Sequence, residues 1–473
     1  MNNLRIVDNH EYVKLDATPD SRYWHNSFDD YELVKKDLAY ISNKQIGKFT
    51  LGNNPNLLVF PKDLHHYGDE IIESYIISMH GDEISTGNIM GFVGVNDTQL
   101  DIKSRFAKED GNDYFLHYML QKVFSINLFD IKHTTNQEDV FEFLVYLFPH
   151  FLKKALAQGL FKKYRRFEYN NANIRGPIDV NRHIRENIPF RGTVAYYTRE
   201  HSYDNEITQL VRHTIEYIRT KECGANILNN DSDTKNCVMQ ISLATQSYNV
   251  RERMKIINQN LRPVRHPYYS AYTELQNLCL RILRHESIKY GQEKDKVYGI
   301  LFDGAWLWEE YLNTIFEEHH LSITHAKNKT EENGIALYEK GKRCYYPDFY
   351  KQTKTAATSF VLDAKYKRLG YDALTDDFEN NISICRDDLF QMITYMHVLP
   401  ADHCALLYPI ERNENNTNYK AVVESKKRDI CGYGGEILGY GIPIPFFEDF
   451  KECGQMKKIE DDLVSKISKW MNN

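Results

Sequence analysis

The chain has 473 residues, 42% of them hydrophobic, 26% charged and 13% aromatic, which excludes a largely disordered protein and calls for two or three folded domains. Its formal net charge of −7 argues against a protein that finds nucleic acid unaided. No apolar run is long enough to cross a bilayer, so no membrane partner is expected. The eight scattered cysteines form neither CxxC nor zinc-finger spacing, and no apolar signal core opens the chain, all of which points to reduced thiols in a cytoplasmic protein.

Residues 1–125 read as a β-rich domain. "FTLGNNPNLLVF", "SYIISMHG" and "GNIMGFVGVNDTQLDIKSRF" carry β-branched and aromatic residues broken by Gly, Asn and Asp, and "GVNDTQL" has the form of a hairpin turn. From residue 113 helical spacing takes over. "DYFLHYMLQKVF" and "DVFEFLVYLFPHFLKKALAQGLFKKY" predict helices, the second kinked or broken at Pro149. Residues 126–290 form a mostly helical, basic middle region. Between Lys153 and Arg199 eleven Lys and Arg stand against three acids, and "RERMKIINQNLRPVRH" is a second basic stretch. Arg165, Arg166, Arg175 and Arg182 are candidates to follow a DNA backbone; solvated helix faces or a surface for an acidic partner are the alternatives. Residues 291–473 alternate helix and strand, which predicts an α/β domain closed by a charged helix at about 456–471. The fold class expected is therefore α+β multidomain.

The chemistry concentrates in the last domain. In "FVLDAKYK", residues 360–367, strand alternation puts Phe360, Leu362, Ala364 and Tyr366 on a core face, and Val361, Asp363, Lys365 and Lys367 on the other. Earlier, in "RCYYPDFYKQ", Tyr346, Asp348 and Tyr350 share a face. Two antiparallel strands joined by the polar "KQTKTAATS" would set Asp348 beside Asp363. Two adjacent carboxylates repel, and a divalent cation relieves the repulsion; Mg²⁺ is commonly held by one or two carboxylates, waters and phosphate oxygens. A lysine on the same face can stabilise charge on a phosphate or position water, the arrangement required for metal-assisted phosphodiester hydrolysis. Upstream, in "GAWLWEEYLNTIFEEHH", Leu307, Trp308, Tyr311, Leu312, Ile315 and Phe316 form an apolar helix stripe with Glu309 at its edge, while Trp306 falls on the polar side. Downstream, in "RDDLFQMITYMHVL", Gln391 and Tyr395 share a helix face.

The order helix Glu, strand Asp, strand Asp-x-Lys, helix Gln-x-x-x-Tyr resembles the PD-(D/E)xK nucleases of the RecB-like branch. Over residues 85–450 the chain also resembles McrC, the nuclease subunit of McrBC-type restriction systems. The likeness rests on "IRGPIDVNRHIRENIPFRGTVAYYTREHSYDNEITQLVRHTI", on "LFDGAWLWEEYL", which aligns Glu309, and on "GFVGVNDTQLDIKSRF", where Ser104-Arg105 stands in place of the family's Pro-Lys. The resemblance implies a Mg²⁺-dependent DNA endonuclease, with Mn²⁺ as a substitute, acting on double-stranded DNA with an McrB-like AAA+ GTPase ring. It implies that residues 1–125 bind the ring and that GTP is bound by the partner. The chain itself has no GxxxxGK[ST] loop. Asp348 and Asp363 are then metal ligands, Lys365 the catalytic lysine, Glu309 an auxiliary acid, and Gln391 and Tyr395 supports of the site or of the DNA backbone. Lys367 competes with Lys365 for the lysine role. The modified base 5-methylcytosine is the expected target. A LlaJI-like subunit that cuts an unmodified sequence, or a non-catalytic scaffold of an AAA+ ring, is the alternative.

Overall fold

A computed structural model describes residues 2–19, 23–50, 57–61, 71, 73–96, 98–107, 113–124, 137–221, 224–229, 231–288, 297–327, 333–339, 343–353, 359–367, 386–411, 421–425, 427–431, 434–445 and 453–472. The chain is mixed α and β and divides into two compact units, Met1–Ser125 with Glu293–Asn473, and Ile126–Gln292. Among the described residues no helix is long and apolar enough to cross a membrane.

The first unit holds two larger sheets. One runs in the order Trp24–Ser27, Asn2–Val7, Thr98–Lys103, Ile89–Val95, Val297–Asp303, Leu57–Phe60. Ile89–Val95 and Thr98–Lys103 form the expected antiparallel hairpin, with Asn96 at a positive φ of 53° in its turn. Leu4, Ile6, Val93, Leu100, Ile102 and Leu301 fill its core. Val297–Asp303 lies within the stretch expected to open the last domain, yet it is a strand of this amino-terminal sheet, paired with both Ile89–Val95 and Leu57–Phe60. Glycine makes that pairing close. A Cβ on Gly91 would run into the Ile300 carbonyl oxygen, and one on Gly299 into that of Phe92; both residues have positive φ. The chain then passes directly into the helix Gly304–Glu318, which Asp303 caps by accepting from the Ala305 amide at 2.9 Å.

The other large sheet runs Thr324–His325, Phe349–Lys351, Phe360–Ala364, His403–Glu411, Glu436–Ile444, Val423–Glu424. Phe349–Lys351 is antiparallel to Phe360–Ala364, which is parallel to His403–Glu411. Val361 packs with Met392, Tyr395 and Met396 of the helix Arg386–Val398. On the opposite face Phe349, the partner of Leu362, meets Phe316 of the helix Gly304–Glu318 with ring centroids 5.0 Å apart. Both faces of the Asp363 strand are thus buried, so Val361 and Asp363 lie on a covered face as Phe360 and Leu362 do. Trp306 rests near Phe124, ring centroids 6.2 Å apart, which accounts for an indole on the polar side of its helix.

The second unit is helical, with Gln137–Ala157, Glu206–Arg219, Ser232–Ala244 and Ala271–Ile288 as its longer helices, and it carries one antiparallel hairpin, Lys163–Asn171 with Val194–Ser202. Gln137–Ala157 runs through Pro149 as a single helix rather than breaking there. The proline costs about 3 kcal/mol in a helix interior, and burial of Leu147, Phe148, Phe151 and Leu152 around it offsets that penalty.

Candidate active site

Pro347 and Asp348 lie immediately before the short strand Phe349–Lys351, where a missing N–H is tolerated and the residue before the proline is biased toward extended backbone. The register pairs Phe349 with Leu362 and Tyr350 with Val361, so one step further Asp348 falls opposite Asp363. Oδ2 of Asp348 accepts from the Ala364 amide at 2.6 Å. Asp348 is half-buried, while Asp363 is only 1% exposed. Burial, Asp363 and Glu309, in that order, push the Asp348 carboxyl well above the ordinary carboxylate range. Burial also raises Asp363, with Lys365 opposing and Asp388 and Glu309 adding to the rise.

Lys365 Nζ lies 2.6 Å from Asp363 Oδ2 as an ion pair outside hydrogen-bond angles, so this buried oxygen has no hydrogen bond. The same amine donates to Gln391 Oε1 at 3.0 Å and stands 3.8 Å from Asp388 Oδ1. Burial works against the ammonium, but the surrounding carboxylates outweigh it and the lysine pKa is raised. Lys365 is a cation throughout the neutral range. Gln391 Nε2 in turn donates to the Tyr395 hydroxyl at 2.9 Å, which reaches the Tyr346 carbonyl at 3.5 Å. Burial pushes the Tyr395 phenol up to about 12. Lys367 reaches the other oxygen of the same carboxylate: it is exposed and pairs with Asp388 Oδ2 at 2.6 Å.

Glu309 comes from the helix Gly304–Glu318, and its Oε1 lies 2.7 Å from His325 Nε2. The structure therefore brings together Glu309, Asp348, Asp363, Lys365, Gln391 and Tyr395. Two residues of the cluster, His325 and Asp388, were not singled out from sequence. Asp388 stands three before Gln391, a helical spacing that marks a shared face; His325 lies in a two-residue edge strand that carries no local signal. Among the described residues no group of three or more His, Cys, Asp and Glu is arranged to hold an ion. The aspartate pair, with one buried oxygen lacking a hydrogen bond, nonetheless suits Mg²⁺, which commonly takes one or two carboxylates and fills its remaining positions with water.

The four arginines belong to the second unit. Arg165 donates to the Asp204 carbonyl at 2.6 Å, and Arg166 pairs with Asp179 at 2.7 Å while stacking 3.8 Å from the Tyr197 ring centroid. Arg182 pairs with Glu168 at 2.7 Å and donates to the Tyr196 carbonyl. These three are already engaged by neighbours on or beside the hairpin. Arg175 is exposed.

Fold and site together define a mixed α/β protein with a buried carboxylate–lysine cluster where two antiparallel strands of one sheet meet. The family model described as McrBC 5-methylcytosine restriction system component matches residues 84–409, well over half of the sequence, and the chain belongs to that family. No curated protein matches it. Two solved structures from Thermococcus gammatolerans are similar. One is described as a refined half-complex from a tetradecameric assembly of McrB AAA+ hexamers with bound McrC; identity is 16%, coverage 98% of this chain and 99% of that chain, and TM-score 0.49. The other, described as a cryo-EM structure of the McrBC complex, shows 15% identity over 68% of this chain and 89% of that chain, with TM-score 0.32.

Proposed function

We propose that the chain is the endonuclease subunit of an McrBC-type restriction complex, with the sheet that carries Asp363 and its flanking helices supplying a PD-(D/E)xK nuclease core. The observation that carries this reading is Lys365 Nζ held 2.6 Å from a buried aspartate that faces a second aspartate across the strand pair. Asp348 and Asp363 would hold Mg²⁺, or Mn²⁺ in its place. When bound, the cation supplies Lewis acidity toward phosphate oxygens and a water of lowered pKa. Lys365, permanently charged, stabilises negative charge developing on the scissile phosphate. Gln391 fixes the direction of that amine, and Tyr395 fixes Gln391. Lys367, itself exposed and paired with Asp388 rather than with either strand aspartate, is the weaker candidate for the catalytic lysine.

The partner in this reading is an McrB-like AAA+ GTPase ring, engaged by residues 1–125 and binding the GTP itself; the family description and the absence of a phosphate loop in this chain support it. The family description also favours 5-methylcytosine DNA as target. Of the four candidate arginines, exposed Arg175 is the one best disposed to follow the DNA backbone. The test is cleavage of methylated and unmethylated duplexes with Mg²⁺, by the chain alone and with the AAA+ protein, with and without GTP. Cutting that requires partner, GTP and methylation is expected. Strong GTPase stimulation with no cutting would replace the reading with a scaffold.

A further inference from the structure

The strand that carries Asp363 ends at Ala364, so Lys365 lies just beyond it. The Lys365 amide still donates to the Leu407 carbonyl at 2.9 Å, the same oxygen that takes the Trp308 indole N–H at 3.2 Å. The next residue, Tyr366, is 2% exposed. Its hydroxyl donates to Met90 Sδ at 3.4 Å, in the strand Ile89–Val95 of the amino-terminal sheet. Its ring lies against the start of the helix Gly304–Glu318, where a Cβ on Gly304 would come within 2.7 Å of a ring carbon. Glycine at that position leaves the ring its room. The Arg105 guanidinium stands 4.5 Å from the centroid of the same ring. Arg105 follows the strand Thr98–Lys103 by two positions, is 1% exposed and is fixed twice by Asp8. Its amide donates to Oδ1 at 2.5 Å and Nη1 to Oδ2 at 2.9 Å. A buried guanidinium paired in this way cannot swing aside without leaving a buried carboxylate short of its counter-charge.

Successive side chains leave a strand on opposite sides. At this exit Tyr366 turns to the amino-terminal sheet, while Lys365 turns to Asp363 and Gln391. Whatever holds the ring therefore sets the side on which the amine emerges. We propose that Tyr366 is a positioning residue for Lys365, anchored on the amino-terminal sheet by Arg105 and Met90. Gln391 steadies the far end of the lysine, and Tyr366 steadies its base. This rests on the nuclease reading above, in which Lys365 acts on the scissile phosphate. A displacement of about 1 Å at a reacting group, caused from a distance, costs on the order of 10²-fold in rate.

The experiment measures single-turnover cleavage by the complex reconstituted with the AAA+ protein, GTP and Mg²⁺, over a range of DNA concentrations. Thermal unfolding and GTPase stimulation are followed on the same preparations. Tyr366→Leu should slow cutting at saturating DNA about 10- to 100-fold, with the half-saturating DNA concentration unchanged. Tyr366→Phe keeps the ring and should recover most of that loss. Arg105→Lys keeps a cation for Asp8 but not the plane that stacks on the ring, and should slow cutting several-fold. In the Lys365→Ala background, Tyr366→Leu should cost nothing further, because the tyrosine acts through that lysine. Parental cutting by folded Tyr366→Leu, a loss seen only as weaker DNA binding, or additive losses in the double variant would overturn the inference. Should Tyr366→Leu fail to fold, parental cutting by Arg105→Lys overturns it instead. Lys365→Ala separates the two claims. If it fails to cut while Tyr366→Leu cuts as the parent does, only the role of Tyr366 falls; if it cuts as the parent does, the nuclease reading falls and takes this inference with it.

Discussion

Replacing Asp348 by Asn should make the metal-free protein more stable at neutral pH. The half-buried carboxylate has the Ala364 amide as a hydrogen-bond donor and two like charges nearby, which hold its pKa well above the ordinary range. Asn keeps an acceptor for that amide and removes the charge. A group whose folded pKa is raised contributes stability that is fully present below its unfolded pKa, near 3.8, and lost as pH rises through the folded value. Each unit of such a rise is worth about 1.4 kcal/mol. Discounted for the residual exposure of Asp348, the expected gain is about 1–3 kcal/mol, the range for an incompletely satisfied buried polar group. Urea unfolding at pH 7.5 and pH 5, with chelator, measures it: the advantage of the variant should be largest at pH 7.5 and shrink toward pH 5. Adding Mg²⁺ should stabilise the parent and leave the variant unchanged, narrowing the gap. A variant less stable than the parent at pH 7.5, or an advantage independent of pH, would refute the electrostatic account.

Further outcomes follow from the same contacts. Gln391→Ala removes the neutral acceptor on Lys365, and cleavage should slow on the order of tenfold in single-turnover assays, with Tyr395→Phe costing less. Glu460 is 2% exposed, accepts from the hydroxyls of Tyr118 and Tyr311 at 2.7 Å each and lies 3.3 Å from Lys122 Nζ. Glu460→Ala should therefore cost about 3–5 kcal/mol in unfolding experiments, without a direct effect on the site. Arg175→Ala should lower DNA affinity evenly across sequences and reduce the salt slope by about 1 in titrations of the assembled complex.

Local pattern made part of this molecule legible. The hairpin Ile89–Val95 with Thr98–Lys103 is set by alternation and a two-residue turn, signals within a few positions of each other. The Asp348–Asp363 juxtaposition was also readable, because strand alternation and a polar connection define an antiparallel register. Long-range pairing was not. Val297–Asp303 joins strands some two hundred residues away, and the glycines that allow the close approach, Gly91 and Gly299, have no local signature of a partner. His325 meets Glu309 only after edge strand and helix pack together, and Asp388 becomes significant only once Lys365 and Lys367 converge on it. Pro149 misled for the opposite reason: its intrinsic helix-breaking tendency is local, and the packing that overrides it is not.

The central claim is that this chain makes the cut through the Asp348–Asp363–Lys365 cluster. It is tested most directly by Lys365→Ala and Lys367→Ala in the reconstituted complex, with cleavage and GTP hydrolysis measured on the same preparations. The account predicts that Lys365→Ala slows cutting by about 10²–10³-fold or more while complex formation and GTPase stimulation persist, and that Lys367→Ala cuts nearly as the parent does. Normal cutting by Lys365→Ala would contradict it.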